Sequence, residues 1–464
     1  MTSRATGWPS RALGAVAVLS LLLAGCSTKV DPGPTPSSSP TAAPVPVDLS
    51  VGVFGAPGEV TALSDEADNF TDPGLDVSVS VKAYGSRDEA VQAYRTGDLP
   101  DVFMLSQRDL AWFTEGDLTH PVDELLDERG VSFGDDYARD SLAAFSNDNS
   151  LACMPYSISP MVIYLNTDLV DFDKMARRGL DVPEINETSG RPEDWTFEQF
   201  AAAAQFATKP GRNTRGVYIE PTLLGLSPFI YAGGGKVFDD DKRPTSLAFS
   251  DGDTRAALAT TLTLLRNAQV TPTPEQLQKH DPLELFENGK LGMIAGYRNL
   301  VPELRQVSGL AFDVMPMPRI SRSATVGDVT GLCISNSTEH LDAAADMLVH
   351  LLSTDAVSKV AEQGYLVPAN VSVASSDSFL QPGLEPANAV IFNQSVRDIQ
   401  VPPLLASWGR LEAVVAPYLD ELVTGQFLDD TLDEITSQID LASEPILAPP
   451  SETPSPSESS SGSG

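Results

Sequence analysis

The chain is predicted to be an α/β protein built as two lobes. Its 464 residues exceed what one hydrophobic core usually covers. Short apolar or alternating runs, bounded by turn residues, take turns with amphipathic segments of helical period along the first hundred residues of the folded part. The stretch 281–334 repeats that grammar in compact form: an amphipathic segment, a turn, a buried apolar run and two further strands.

The first strand is expected over residues 48–54, followed by the turn Gly55-Ala56-Pro57-Gly58. Residues 61–70 have helical spacing, and Val77, Val79 and Val81 alternate as a half-buried strand. A helix over 87–96 is closed by Gly97, and residues 98–105 form the next strand. Ser106 and Gln107 stand where that strand runs out, the end at which open α/β sheets bind ligands. Ser106 is equally suited to cap a helix over 107–114, in which Trp112 and Phe113 sit at core spacing. Farther on, Thr196 and Gln199 make a capping box, and Phe197, Phe200, Ala201 and Ala204 mark one apolar helix face. A strand is expected over 236–239 and helices over 338–352 and around Leu428, Leu432, Ile435 and Ile439.

In the opening stretch of that grammar, Leu283, Leu285 and Phe286 lead to a turn at Asn288-Gly289. The run Leu291-Gly292-Met293-Ile294-Ala295 reads as a buried strand stopped by Gly296. Tyr297-Arg298-Asn299 starts a helix, residues 312–318 form a strand ending in Met-Pro-Met-Pro, and residues 329–334 form another.

Composition excludes several function classes. Sixty-four acidic residues against thirty Lys and Arg leave a formal charge of −34, which repels phosphate backbones and argues against nucleic acid. Three cysteines in so long a chain are no disulfide scaffold. The four histidines are scattered without zinc spacing, so neither a metal nor another cofactor is expected. The triple glycine 233–235 lacks the Gly-x-x-x-x-Gly-Lys spacing of a phosphate loop.

At the amino terminus, Arg4 and Arg11 precede the apolar stretch 12–23, which is short for a bilayer span and ends in small residues, as secretory signal peptides do. Leu23-Ala24-Gly25-Cys26 looks like a lipobox, which implies cleavage after residue 25 and a lipid on Cys26. Residues 26–47 are rich in Pro, Ser, Thr and Ala and read as an extended tether; residues 449–464 read as a disordered tail. The expected location is the outer face of the cell membrane, anchored rather than inserted.

Several stretches resemble the extracellular solute-binding proteins of ABC importers, in the sugar-binding branch that includes maltodextrin-binding protein. They include Phe286-x-x-Gly289-Lys290-x-x-Met293, the Met-Pro-Met-Pro step and the Gly-containing strand after it. "TGDLPDVFML" at 96–105, Trp195-Thr196-x-x-x-Phe200 and Tyr365-Leu366-Val367-Pro368 also match. The likeness covers roughly residues 48–447 and implies a periplasmic-binding-protein-like fold with a three-crossing hinge and a ligand cleft between the lobes. Residues 48–156 and 319–370 would form lobe 1, and residues 157–318 and 371–448 lobe 2. It further implies monomeric capture of a small solute, a sugar or oligosaccharide, for delivery to membrane permease subunits.

The resemblance nominates particular contacts. Trp408, before a helix and after Pro402-Pro403, stands where the family carries a stacking aromatic. Tyr156 falls at the first crossing and reads as a ligand contact or a hinge-packing tyrosine. Glu220, in Glu-Pro, corresponds to a sugar-binding carboxylate, and Tyr231 lies on the facing loop. Arg298, beside Tyr297, replaces the usual tryptophan and suits hydroxyls or an acidic substituent, or else a surface acid. With Cys26 lipidated, Cys153 and Cys333 remain, and an oxidising compartment allows them either a disulfide or two buried thiols. Two other readings stay open: a secreted glycan-active enzyme, for which no acid pair is singled out, and a sensor or adhesin of the same fold.

Overall fold

A computed structural model describes residues 45–131, 134, 136–147, 150–425 and 430–448. Cys26, the expected signal peptide and tail, and most of the expected tether lie outside the described residues. The strands, in chain order, are β1 (Val45–Phe54), β2 (Leu75–Tyr84), β3 (Val102–Ser106), β4 (Thr119–His120), β5 (Ser146–Asn147) and β6 (Ser150–Leu151). They continue as β7 (Met154–Pro160), β8 (Val162–Asn166), β9 (Arg215–Tyr218), β10 (Leu291–Gly296), β11 (Phe312–Pro316) and β12 (Gly327–Ser335).

Two sheets organise the described residues. The first has the order β2-β1-β3-β12-β4, with β7 also paired to β12. Its β1, β2 and β3 are parallel, whereas β12 runs antiparallel to β3, β4 and β7. The second has the order β11-β8-β10-β9. Strand β1 starts three residues earlier than the turn-poor sequence suggests, because Val45, Pro46 and Val47 pair with Leu75, Asp76 and Val77. Pro46 is tolerated there since β3 pairs with β1 only at Val51 and Gly52, leaving one edge of β1 free of partners near its start. The strand expected over 236–239 is only an isolated bridge between Phe238 and Leu247.

The chain passes from the first sheet to the second between Pro160 and Val162, and back between Pro316 and Gly327. Segment 366–369 then runs against β7, with hydrogen bonds from Ile158 N–H to the Val367 carbonyl and from Ala369 N–H to the Tyr156 carbonyl, each 3.0 Å.

The second sheet is buried on both faces, which explains why β8 and β10 read as continuous apolar runs. Val162, Tyr164, Ile294 and Val314 pack into the core shared with the first sheet. Their neighbours Ile163, Leu165, Met293 and Met315 face the opposite core with Trp195, Phe200 and Phe229. The predicted capping box at Thr196 and Gln199 is present and starts the helix Phe197–Ala207. Cys153 and Cys333 are joined in a disulfide that ties the start of β7 to β12. Both are fully buried.

Candidate functional site

Two adjoining chambers open between the lobes, and both are lined by Arg87. The first encloses about 540 Å³. From the first sheet it takes the turn after β1 (Phe54, Gly55, Ala56, Pro57), Glu59, Ser157 and Ser159 of β7, and Asp328 and Thr330 of β12. From the second lobe come Tyr297, Asn299, Leu300, Glu303 and Gln306, the residues that follow β10. Tyr365 and Leu366 close one side. The turn after β1 is at the carboxyl end of a parallel strand, where backbone dipoles and a following helix leave a natural recess. Gly55 makes this turn with φ +148°, and a Cβ there would stand 2.7 Å from Glu59 Oε2.

Glu59 occupies the first turn of the helix Pro57–Asp68. Its carboxyl is pushed up from 4.5 to about 7, chiefly by burial and then by Asp328 across the chamber. The Ala56 N–H, which it accepts, opposes the shift. Tyr297 is held in place through its backbone, whose carbonyl accepts the Tyr164 hydroxyl at 2.6 Å. Burial, followed by Asp328, raises its phenol.

The second chamber, about 620 Å³, lies between Arg87, Arg95, Arg108 and Trp112 of the first lobe and the segment 405–412 that carries Trp408, Arg410 and Glu412. A charge network separates the chambers. Arg87 donates twice to Asp109, at 2.6 and 3.1 Å, and Arg108 reaches Asp328 at 3.4 Å. Arg95 stacks its guanidinium 4.8 Å from the Trp112 ring centre. At this side Gln107 Nε2 donates across the cleft to the Pro402 carbonyl at 3.3 Å.

The residues expected from sequence divide between cleft and core. Tyr297 and Trp408 line the chambers. Glu220 is exposed just past β9. Its carboxyl is raised first by desolvation, then by Glu412 and Asp281, and it is not among the residues lining either chamber. Trp408 is not a free-standing platform: it is 4% exposed and packs its ring 6.1 Å from Phe238.

The other four are withdrawn from the cavities. Arg298 is fully buried between Phe379 and Phe392, 4.7 and 5.1 Å from their ring centres. It donates to the carbonyls of Gly364 and Phe379, each at 3.1 Å, so its reading as a ligand contact gives way to a fastening role. Burial lowers its guanidinium to about 10, which leaves it charged at neutral pH. Tyr156 is 1% exposed beneath the cleft floor, and burial raises its phenol further than Glu59 and Glu66 do. Ser106 is buried and accepts the Arg108 N–H at 3.4 Å, the capping alternative. Tyr231 is buried in the helix Leu223–Ala232 and meets Arg322 only through its carbonyl, at 2.7 Å.

Sequence reasoning passed over Glu59, Arg87, Arg108, Asp328 and Tyr365, and it favoured core packing over ligand contact for Trp112. For Glu59 a signal existed, since it directly follows the glycine-bounded turn at the end of a parallel strand. The others reach the cleft only through tertiary pairing.

A two-lobed α/β body with a polar and aromatic cleft at strand ends is the build of a binding protein that encloses a small molecule. The chain belongs to the bacterial extracellular solute-binding proteins, whose family profile matches residues 67–384. Among solved structures it is similar to the ABC substrate-binding protein Lmo0181 from Listeria monocytogenes in complex with cycloalternan. That likeness has 19% identity and TM-score 0.70, covering 85% of this chain and 98% of the other. It is also similar to the cyclic α-maltosyl-1,6-maltose binding protein from Arthrobacter globiformis, at 20% identity and TM-score 0.67 over 87% and 99%. The sugar-binding protein MalE from Xanthomonas citri aligns at 16% identity and TM-score 0.68 over 85% and 97%. No curated protein matches the chain.

Proposed function

We propose that this protein captures a carbohydrate between its lobes and delivers it to the permease of an ABC importer, without performing chemistry on it. The first chamber carries this reading. Its two tyrosine rings, Tyr297 and Tyr365, suit the apolar faces of a sugar, while Glu59, Arg87, Asp328 and Asn299 suit its hydroxyls. The sugars named for the similar solved structures support the same class of ligand. In this reading the body built on the first sheet, which keeps β7 through Pro160, and the body built on the second sheet are the lobes that close over the solute as a monomer. Closure presents a surface formed by both lobes to the permease, and a lipid on Cys26 holds the protein at the outer face of the membrane.

Thermal denaturation across neutral mono-, di- and oligosaccharides tests the reading, because a bound solute raises the melting temperature by mass action. A rise confirmed by calorimetric titration is expected for at least one of them, with no new product on chromatography. Binding confined to non-carbohydrate solutes would overturn the choice of ligand, and released products would overturn the absence of chemistry.

A further inference from the structure

The second chamber has a wall unlike that of the first. Its arginines outnumber its acids, four to three, although acids outnumber bases by 64 to 30 in the chain. Four arginines line it, against Asp88, Asp109 and Glu412. Asp109 is saturated by Arg87 on both oxygens, and Asp88 takes the remaining Arg87 contact at 3.1 Å. The other three guanidiniums are under-used. Arg95 comes no closer than 3.7 Å to Asp109 and otherwise rests on Trp112. Arg108 makes one side-chain contact, at 3.4 Å to Asp328 in the neighbouring chamber. Arg410 is exposed and has no ion pair among the described residues. Each guanidinium carries five N–H donors and no acceptor.

A helix start borders the same space. The helix Trp408–Thr424 begins there; Ser407 gives it no side-chain cap and the Trp408 backbone N–H is taken by the Leu405 carbonyl at 3.1 Å, which leaves the positive end of its dipole beside Gly409 and Arg410. Trp408 is 4% exposed, yet its Nε1–H has no partner among the described residues. A buried indole N–H left without an acceptor is costly, but this one is closed off from solvent and meets a ligand oxygen only if the ring shifts.

Sugar hydroxyls both donate and accept, so a site for neutral sugar mixes both roles, as the first chamber does with Glu59, Asp328 and Asn299. A donor wall instead matches a group that only accepts. We propose that the second chamber is a subsite for an acidic substituent, a carboxylate or phosphate, on the captured carbohydrate. Arg108 and Arg410 grip the anion, and the start of the helix Trp408–Thr424 completes the cradle. The proposal rests on the carbohydrate reading and narrows it to acidic sugars. Glu412, which also lines the chamber, sets an acid against any anion placed beside it.

The test is calorimetric titration of the full chain with matched pairs: galactobiose against digalacturonate, and trehalose against trehalose 6-phosphate. In at least one pair the acidic member should bind about 10-fold tighter or more, as charge-assisted bonds to arginine exceed neutral ones. Its advantage should shrink as salt is raised. Arg410→Gln, at an exposed position, and Arg108→Gln should each bring the acidic member toward the affinity of the neutral one. The carboxylate and phosphate pairs separate the two sources of charge. Equal binding of neutral and acidic members overturns the subsite and leaves carbohydrate capture standing. An acidic preference that survives both arginine variants also overturns it. If no neutral or acidic carbohydrate binds, the subsite and the reading beneath it fall together.

Discussion

Glu59→Gln should remove a pH-dependent weakness built into the cleft. Glu59 has a carboxyl raised from 4.5 to about 7, with burial the larger cause and Asp328 the second. A raised carboxyl favours the proton in the folded state. Stability is therefore fully present below pH 4.5, where Glu59 is neutral in both states, and is lost as pH rises toward 7, where the unfolded chain ionises more readily. At 1.36 kcal/mol per pH unit, the span corresponds to roughly 3 kcal/mol, and water entering the open cleft should reduce it to about 1–2 kcal/mol. Glutamine keeps an oxygen for the Ala56 N–H but cannot ionise. Denaturant unfolding of both proteins at pH 4.5, 5.5, 6.5 and 7.5 measures the difference. The variant should gain on the wild type steadily from pH 4.5 to 7 and then run parallel to it. Curves parallel over the entire range would refute the reasoning, whereas Asp328→Asn should shift the wild-type inflection to lower pH.

Arg298→Met removes two hydrogen bonds to the Gly364 and Phe379 carbonyls and the stacking on two phenylalanines. It should cost roughly 2–4 kcal/mol in chemical denaturation while solute affinity, by calorimetry, holds. Trp408→Ala opens a cavity beside Phe238 and should destabilise by about 3 kcal/mol as well as weaken ligand binding; unchanged unfolding would return Trp408 to the role of a free platform. Cys153→Ala with Cys333→Ala releases a link across 180 residues, for which the chain-entropy relation gives about 5 kcal/mol, read as a lowered denaturation midpoint. Cys26→Ser should abolish labelling with a radioactive fatty acid and move the protein out of the membrane fraction; retained labelling would end the lipoprotein proposal.

What the sequence determined by itself was the series of elements. The alternation Val77, Val79, Val81 and the helical spacing of Phe197, Phe200 and Ala204 state which face of a strand or helix is apolar, and that depends on near neighbours alone. Thr196 and Gln199 specify their own cap for the same reason. The solute-binding family was legible in this order of elements together with short motifs. The disulfide pairing was left between two possibilities, because 180 residues separate its halves and only the β7–β12 register brings them together.

The cleft was decided by tertiary structure. Tyr297 and Arg298 are adjacent, yet one lines the first chamber and the other fastens the chain behind it, since the short 3-10 turn after β10 sends successive side chains in different directions. Arg87, Asp109 and Asp328 lie on three separate elements and form one charge network only after the first sheet is assembled. Nor does any local pattern distinguish a tryptophan half in a core from one half in a cavity. Periodicity records that a residue faces away from water, whereas what it faces is settled by the packing of segments hundreds of residues apart.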